Sequence, residues 1–264
     1  MMRDFYSIVD IAYEGGRLSA DEIAVLLKAE GLEQAALFAA ADLIRRDVVG
    51  DGVHLRALIE ISNDCMRNCL YCGLRKGNTQ LQRYCMTADE IVDAAAVAIE
   101  RGYGSIVLQS GEGTGLSIDL LGDVIVRIKS IANVAITLSI GEHSKKDFQI
   151  LKDAGADRFL MRHETADDVL YSKIHPGDSL SNRLRNIKIL KGLDYQIGAG
   201  MMVGIPGQTI HSLAKDVLLL RDLEVDMAGI GPFIANPQTP FGREKNGSLA
   251  LTLNCLAVTR LVVR

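Results

Sequence analysis

No stretch of this 264-residue chain is apolar for long enough to cross a bilayer, so nothing in it reads as a membrane-spanning helix. The opening residues Met1-Met2-Arg3-Asp4-Phe5-Tyr6 bring in acid early and lack the apolar core of a secretory signal. Basic charge is not in surplus. With 29 Lys and Arg against 33 Asp and Glu the net charge is −4, which offers no electrostatic footprint for nucleic acid. Cysteine is scarce, and three of the five are crowded between positions 65 and 72, unlike the spread of a secreted disulfide framework. Low-complexity tracts and linkers are missing, which predicts one domain. Together these absences predict a soluble, cytoplasmic protein in a reducing compartment, with no nucleic acid and no membrane among its partners.

What is present is ordinary globular composition, 48% hydrophobic and 23% charged, at a length common for single-domain α/β barrels. Residues 1–50 read as a helical layer. Ser19-Ala20-Asp21-Glu22 forms a capping box ahead of Ile23, Leu26 and Leu27 at helical spacing, and an Ala-rich helix is expected over 33–47. A separate helix-turn-helix would need a basic face that this layer lacks. From residue 51 onward strands and helices alternate. Strands are expected at 54–62, 105–109, 134–140, 158–163, 196–203 and 227–234. Helices are expected near 87–101, 118–131, 145–154, 181–192, 210–223 and 251–263. Six βα units in succession predict a parallel sheet with right-handed crossovers, closed or nearly closed as a TIM-type barrel over 51–264. A flat doubly wound sheet shares the same alternation.

Barrel chemistry collects where strands end and βα loops begin. After the first strand comes Cys65-Met66-Arg67-Asn68-Cys69-Leu70-Tyr71-Cys72, a CxxxCxxC spacing. Three thiolates on one loop can hold three corners of a 4Fe–4S cluster, leaving the fourth iron open to a ligand that is not protein. A zinc site would want a fourth ligand, and the first histidine beyond Cys72 is His143. The second strand ends in Gln109-Ser110-Gly111-Glu112, a glycine turn with a carboxylate. Thr137 and Ser139 share a face of the third strand, where inward hydroxyls suit a polar ligand. On the fourth, period two puts Arg158, Leu160, Arg162 and Glu164 on one face and Phe159, Met161 and His163 on the other. Inward charges there would need a partner: Arg162 a carboxylate, Glu164 an amino group or ribose hydroxyls, unless the two pair with protein groups. Gly198 and Gly200 permit close backbone approach on the fifth strand, and Met227, Gly229 and Gly231 share a face of the sixth and leave room in the barrel. Cys85 and Cys255 read as plain thiols.

These residues resemble the radical S-adenosylmethionine (SAM) superfamily, and within it the FeFe-hydrogenase maturation E branch, related to biotin synthase and methylornithine synthase. The runs that carry the likeness include Cys69-Leu70-Tyr71-Cys72-Gly73-Leu74-Arg75, Val107 through Glu112, Thr137 through Glu142, Arg162-His163-Glu164-Thr165-Ala166 and Val203 through Thr209. The resemblance implies that Cys65, Cys69 and Cys72 ligate a 4Fe–4S cluster at which SAM is reductively cleaved to a 5′-deoxyadenosyl radical. It implies SAM contacts at Tyr71, Gln109, Glu112, Ser139, Glu164 and Arg183. The substrate cavity would be formed by Ser110, Thr137, Arg162 and Met227, with Arg162 holding a carboxylate. The implied substrate is a small molecule or a cysteine-bound iron carbonyl–cyanide unit. Partners would be an electron donor such as a ferredoxin or flavodoxin and the other hydrogenase maturation proteins. Family members carry eight βα units, so the expectation here is six units of a barrel truncated from eight, with activity in doubt. The rival readings are a mutase or sulfur-inserting enzyme of the methylornithine or biotin synthase type, and an inactive metal-binding module.

Overall fold

The computed structural model describes residues 3–113 and 115–263, so Met1 and Met2, read above as lacking a signal, lie outside it. Three helices come first, α1 (Phe5–Tyr13), α2 (Ala20–Leu27) and α3 (Gly31–Val48). The Ser19 hydroxyl accepts from the Glu22 amide while Glu22 reaches back to the Ser19 amide, the capping box expected at the start of α2. The alternation follows as β1 (Ala57–Ser62), α4 (Ala88–Glu100), β2 (Ser105–Ser110), α5 (Ile118–Ile131), β3 (Ala135–Ser139), α6 (Lys145–Asp153), β4 (Arg158–Leu160), α7 (Asp168–Ile174), α8 (Leu180–Lys191), β5 (Gln196–Val203), α9 (Ile210–Leu223), β6 (Met227–Pro232) and α10 (Leu249–Val263). Side-chain oxygens of Thr87, Ser144 and Thr209 start α4, α6 and α9 in the same reciprocal way.

All six strands are parallel and lie in the order β1-β2-β3-β4-β5-β6. A doubly wound sheet reverses direction partway; a sheet whose spatial order follows the chain winds as a barrel. Among the described residues β1 pairs only with β2 and β6 only with β5, so the winding is open between them. One parity of each strand faces the helices: Ile59, Ile61, Ile106, Leu108, Ile136, Leu138, Phe159 and Ile197 pack into a single cluster with α4, α5 and α6. The other parity faces the concave side. The N-terminal helices share a second cluster with α9, α10 and the outer face of β5. Asn254, buried on α10, ties them down by donating to the carbonyls of Leu27 (3.1 Å) and Ala29 (2.9 Å).

Two expectations need correction. The fourth strand ends at Leu160 rather than at 163, because Glu164 adopts a left-handed φ of 63° that no strand carries. The alternation of side chains continues past its end, with Arg162 and Glu164 on the concave side and His163 against Asp216 of α9. The three steps from Met161 to Glu164 nevertheless span only two on β5, where their amides donate to Gly198 and Gly200 at 2.9 Å each. The short helix α7 was not expected at all.

Gly200 of β5 is a steric requirement. A Cβ on Gly200 would overlap the carbonyl oxygen of Gly229 on the paired strand. Gly200→Ala is therefore expected to lower the unfolding free energy by about 1–3 kcal/mol, read as a lower urea midpoint at an unchanged slope.

Candidate functional site

The cysteine loop leaves β1 at the C-terminal edge of the sheet and is pinned from several sides. The Met66 amide donates to the carbonyl of Glu112 (2.7 Å), the Leu70 amide to Ile174 (2.9 Å) and the Phe241 amide to Leu70 (3.2 Å). Cys65, Cys69 and Cys72 are partly buried free thiols. Burial pushes the Cys69 thiol up to about 12, with the neighbouring Cys72 and Cys65 adding to it, and burial likewise raises Cys72. Metal binding releases such thiol protons, since the ligand is the thiolate. Among the described residues no three His, Cys, Asp or Glu side chains converge on one ion-sized point.

The three cysteines line a cavity of about 380 Å³ together with Tyr71, Gln109, Ser110, Glu112, Ser139, Arg162, Glu164 and Arg183. The residues expected at four different strand ends are thus brought into one place. Tyr71 is fixed by its hydroxyl, 2.9 Å from His175 Nε2, and its ring meets the His175 ring edge to face. Burial holds His175 below its ordinary range, with Arg183 adding to the effect and Glu164 opposing it. Two of the expected residues lie elsewhere. Thr137 sits in register with Arg158, below the cavity, its hydroxyl buried without a partner. Met227, in register with Gly198, lines a larger cavity of about 880 Å³ at the N-terminal ends of the strands, beside Arg56, Arg101 and Arg158. That cavity holds no thiol, and the substrate-wall role expected for Met227 does not fit its position.

A charge network that the sequence reading missed borders the thiols. Arg67, inside the cysteine loop, donates from Nε to Glu112 Oε1 (2.6 Å) and pairs with Glu142 (3.1 Å) and Asp178 (3.4 Å). Arg183 pairs with Glu142 at 3.0 Å and lies 3.6 Å from Glu112 and 3.8 Å from Asp178, while donating to the Tyr171 hydroxyl at 3.2 Å. Glu112 is therefore turned to two guanidinium groups and is not left open for a ligand ammonium. Burial pushes the Glu142 carboxyl above its ordinary range against the pull of Arg183. Gly141, at a φ of 85°, is what lets Glu112 lie across the end of β3, since a Cβ there would overlap the Glu112 side chain.

Arg162 donates to the carbonyl of Met201 (2.8 Å) and reaches Glu164 at 3.2 Å, so part of their charge is satisfied within the protein. Arg162 Nε has no hydrogen-bond partner, and Glu164 Oε2 has only the Arg162 guanidinium beside it; both residues line the cavity. The left-handed backbone of Glu164 is the kind of local strain that aims a side chain into a site. Behind it, Asp216 of α9 accepts from the Ala166 amide and lies 3.6 Å from His163, both side chains fully buried. His163 is thus outside the cavity, as its parity implied.

The donor set fits a cluster and a polar ligand side by side: three free thiols line the cavity together with one cation and one anion, Arg162 and Glu164. Residues 59–220 match the model of the radical SAM superfamily. The chain is 51% identical over 228 residues to the [FeFe] hydrogenase maturase subunit HydE of Thermotoga maritima, covering 86% of this chain and 65% of that protein. It is 27% identical over 252 residues to the 3-methylornithine synthase of Methanosarcina acetivorans, covering 94% and 71%. The crystal structure of methylornithine synthase (PylB) superposes with a TM-score of 0.89 at 23% identity, covering 97% of this chain and 76% of that one. The FeFe-hydrogenase maturase HydG from Carboxydothermus hydrogenoformans superposes at 0.84 and 21% identity, covering 98% and 63%. This chain thus spans a little less than two thirds of the length of the HydE protein that it matches.

Proposed function

This chain belongs to the radical SAM superfamily, and we propose that it is a SAM-cleaving enzyme of FeFe-hydrogenase maturation, working in the cytoplasm. Superfamily members use a 4Fe–4S cluster and SAM. The observation that carries the reading is the meeting of the CxxxCxxC thiols with a cavity lined by the Arg162–Glu164 ion pair, one cation and one anion that suit a zwitterionic ligand. The 51% identity to HydE, against 27% to methylornithine synthase, favours the maturase branch over a mutase.

Cys65, Cys69 and Cys72 would hold the cluster. When bound there it supplies the electron for reductive cleavage of SAM to methionine and a 5′-deoxyadenosyl radical, chemistry that belongs to the cofactor. The chain's own work is positioning. Glu164 accepts hydrogen bonds from amino or hydroxyl groups, and the part-exposed Arg162 guanidinium offers donors to a carboxylate. Gln109 and Ser139, adjacent on paired strands, add neutral donors and acceptors to the cavity wall. Arg67 and Arg183 hold Glu112 and Glu142 in place, which fixes the cysteine loop against the ends of β2 and β3. Tyr71 and His175 close the side of the cavity with apolar ring surface and keep water from it. The substrate would be a small molecule or a cysteine-bound iron unit, with a ferredoxin or flavodoxin as electron donor and the other maturation proteins as partners.

Anaerobic reconstitution with iron and sulfide, followed by SAM and dithionite, tests this reading. The expected result is formation of 5′-deoxyadenosine and methionine. Product formation stimulated by lysine or dethiobiotin would overturn the maturase assignment, and a colourless zinc-bound protein would overturn the enzyme reading altogether.

A further inference from the structure

The segment that returns from the cysteine loop to α4 carries one cation that none of the chemistry above uses. Arg83 donates from Nη1 to the carbonyls of Asn63 (2.6 Å) and Leu74 (2.8 Å), and from Nη2 to those of Arg75 (2.8 Å) and Asn78 (3.4 Å). Asn63 stands two residues before Cys65, and Leu74 two residues after Cys72. One guanidinium therefore bridges the two ends of the stretch that contains all three thiols. Asn63 strengthens the same stem: its side chain donates to the Gln82 carbonyl (2.8 Å) and accepts from the Tyr84 amide (2.7 Å). An antiparallel bridge between Ser62 and Cys85 continues it.

Four carbonyl dipoles aimed at one point repel one another unless a cation stands between them. A planar fork with several fixed donors meets that geometry, and a lysine, as a point charge, does not. We propose that Arg83 is a positioning residue that holds the cysteine loop in its ligating shape before any cluster arrives. It acts through the loop backbone and touches no ligand. The proposal rests on the cluster reading of that loop.

The test compares the full chain with Arg83→Met and Arg83→Lys after anaerobic reconstitution. Arg83→Met is expected to fold, by circular dichroism, yet to lose iron to a chelator on the order of 10–100-fold faster, the usual effect of removing a group that orients metal ligands. Its reduced cluster should give a broadened or altered EPR signal. Arg83→Lys is expected to fall between the two. Unchanged iron retention and an unchanged signal in Arg83→Met would overturn the proposal, as would full restoration by lysine. A second measurement needs no variant. In the unaltered, cluster-free chain the Lys76 amide, which donates to the Arg67 carbonyl at 2.7 Å, is expected to be protected from hydrogen exchange, and free exchange there would overturn the brace. If the unaltered chain takes up no cluster, the reading of the site fails, and the exchange measurement still judges the brace.

Discussion

Cys69→Ala is expected to remove the 4Fe–4S cluster and all SAM cleavage while leaving the fold intact. Cys69 belongs to a loop and not to the apolar clusters behind the sheet. Its loss should therefore move the melting temperature of the cluster-free chain by less than about 2 °C, as expected for a substitution outside the core. Iron retention should respond very differently. Two cysteines cannot hold a cubane against exchange into solvent, and SAM then has no iron at which to be cleaved. Iron and sulfide content, the visible absorbance of the reconstituted protein and 5′-deoxyadenosine formation should all fall to background. The exposed Cys85, whose thiol lies 3.5 Å from the Gly115 carbonyl, is the control; Cys85→Ala should keep the cluster. Assembly should also quicken as pH rises, because the raised Cys69 and Cys72 thiols must lose protons to bind iron. Cluster content unchanged in Cys69→Ala would refute the ligand assignment, and one zinc per chain would favour the metal-module reading.

How much of this was legible in the sequence depends on whether the signal was local. The elements Ile118–Ile131, Gln196–Val203 and Ile210–Leu223 were readable to the residue, because a capping Ser117 or Thr209, or a run of alternating glycine and apolar residues, marks their ends. The end of β4 was not. Period-two patterning says which face a side chain takes, and that held as far as Glu164, but it is silent about a backbone that leaves the sheet after Leu160. Helix α7, Asp168–Ile174, is too short for a helical period to stand out. Patterning also gives a face without giving depth. Met227 shares its parity with Gly229, yet its register with Gly198 places it toward the far end of the barrel. The network around Arg67 was hidden for another reason: its partners Glu112 and Glu142 lie 45 and 75 positions away, and only the winding of the barrel brings them together. Glu142 could have been found as a carboxylate just past a strand end. Asp178, in a Pro-Gly turn before α8, carried no such mark.

That network makes Arg183→Met the most damaging single change outside the thiols. Arg67 and Arg183 stand against Glu112, Glu142 and Asp178, a net charge of −1 from two cations and three anions, all side chains 27% exposed or less. Removing Arg183 leaves a net −2 in a poorly hydrated place, and breaking a buried pair from one side typically costs about 3–5 kcal/mol. The loss should depend on pH in a definite direction. Burial already raises the Glu142 carboxyl, and Arg183 is the foremost influence holding it down; without Arg183 it rises further. A carboxyl whose folded value lies above its unfolded one favours folding when protonated. That contribution is present below the unfolded value and is lost as pH rises through the folded one. Arg183→Met should therefore be least stable near neutrality and recover part of the deficit on acidification, with urea midpoints at about pH 5.5 closer to those of the unaltered protein than at about pH 7.5. Arg183→Lys keeps the charge but not the fork that spans Glu142 and the Tyr171 hydroxyl, so it should restore stability in part and SAM binding less. A deficit that does not change with pH, or that grows on acidification, would show that the cations at this edge of the cavity do not compensate the buried carboxylates.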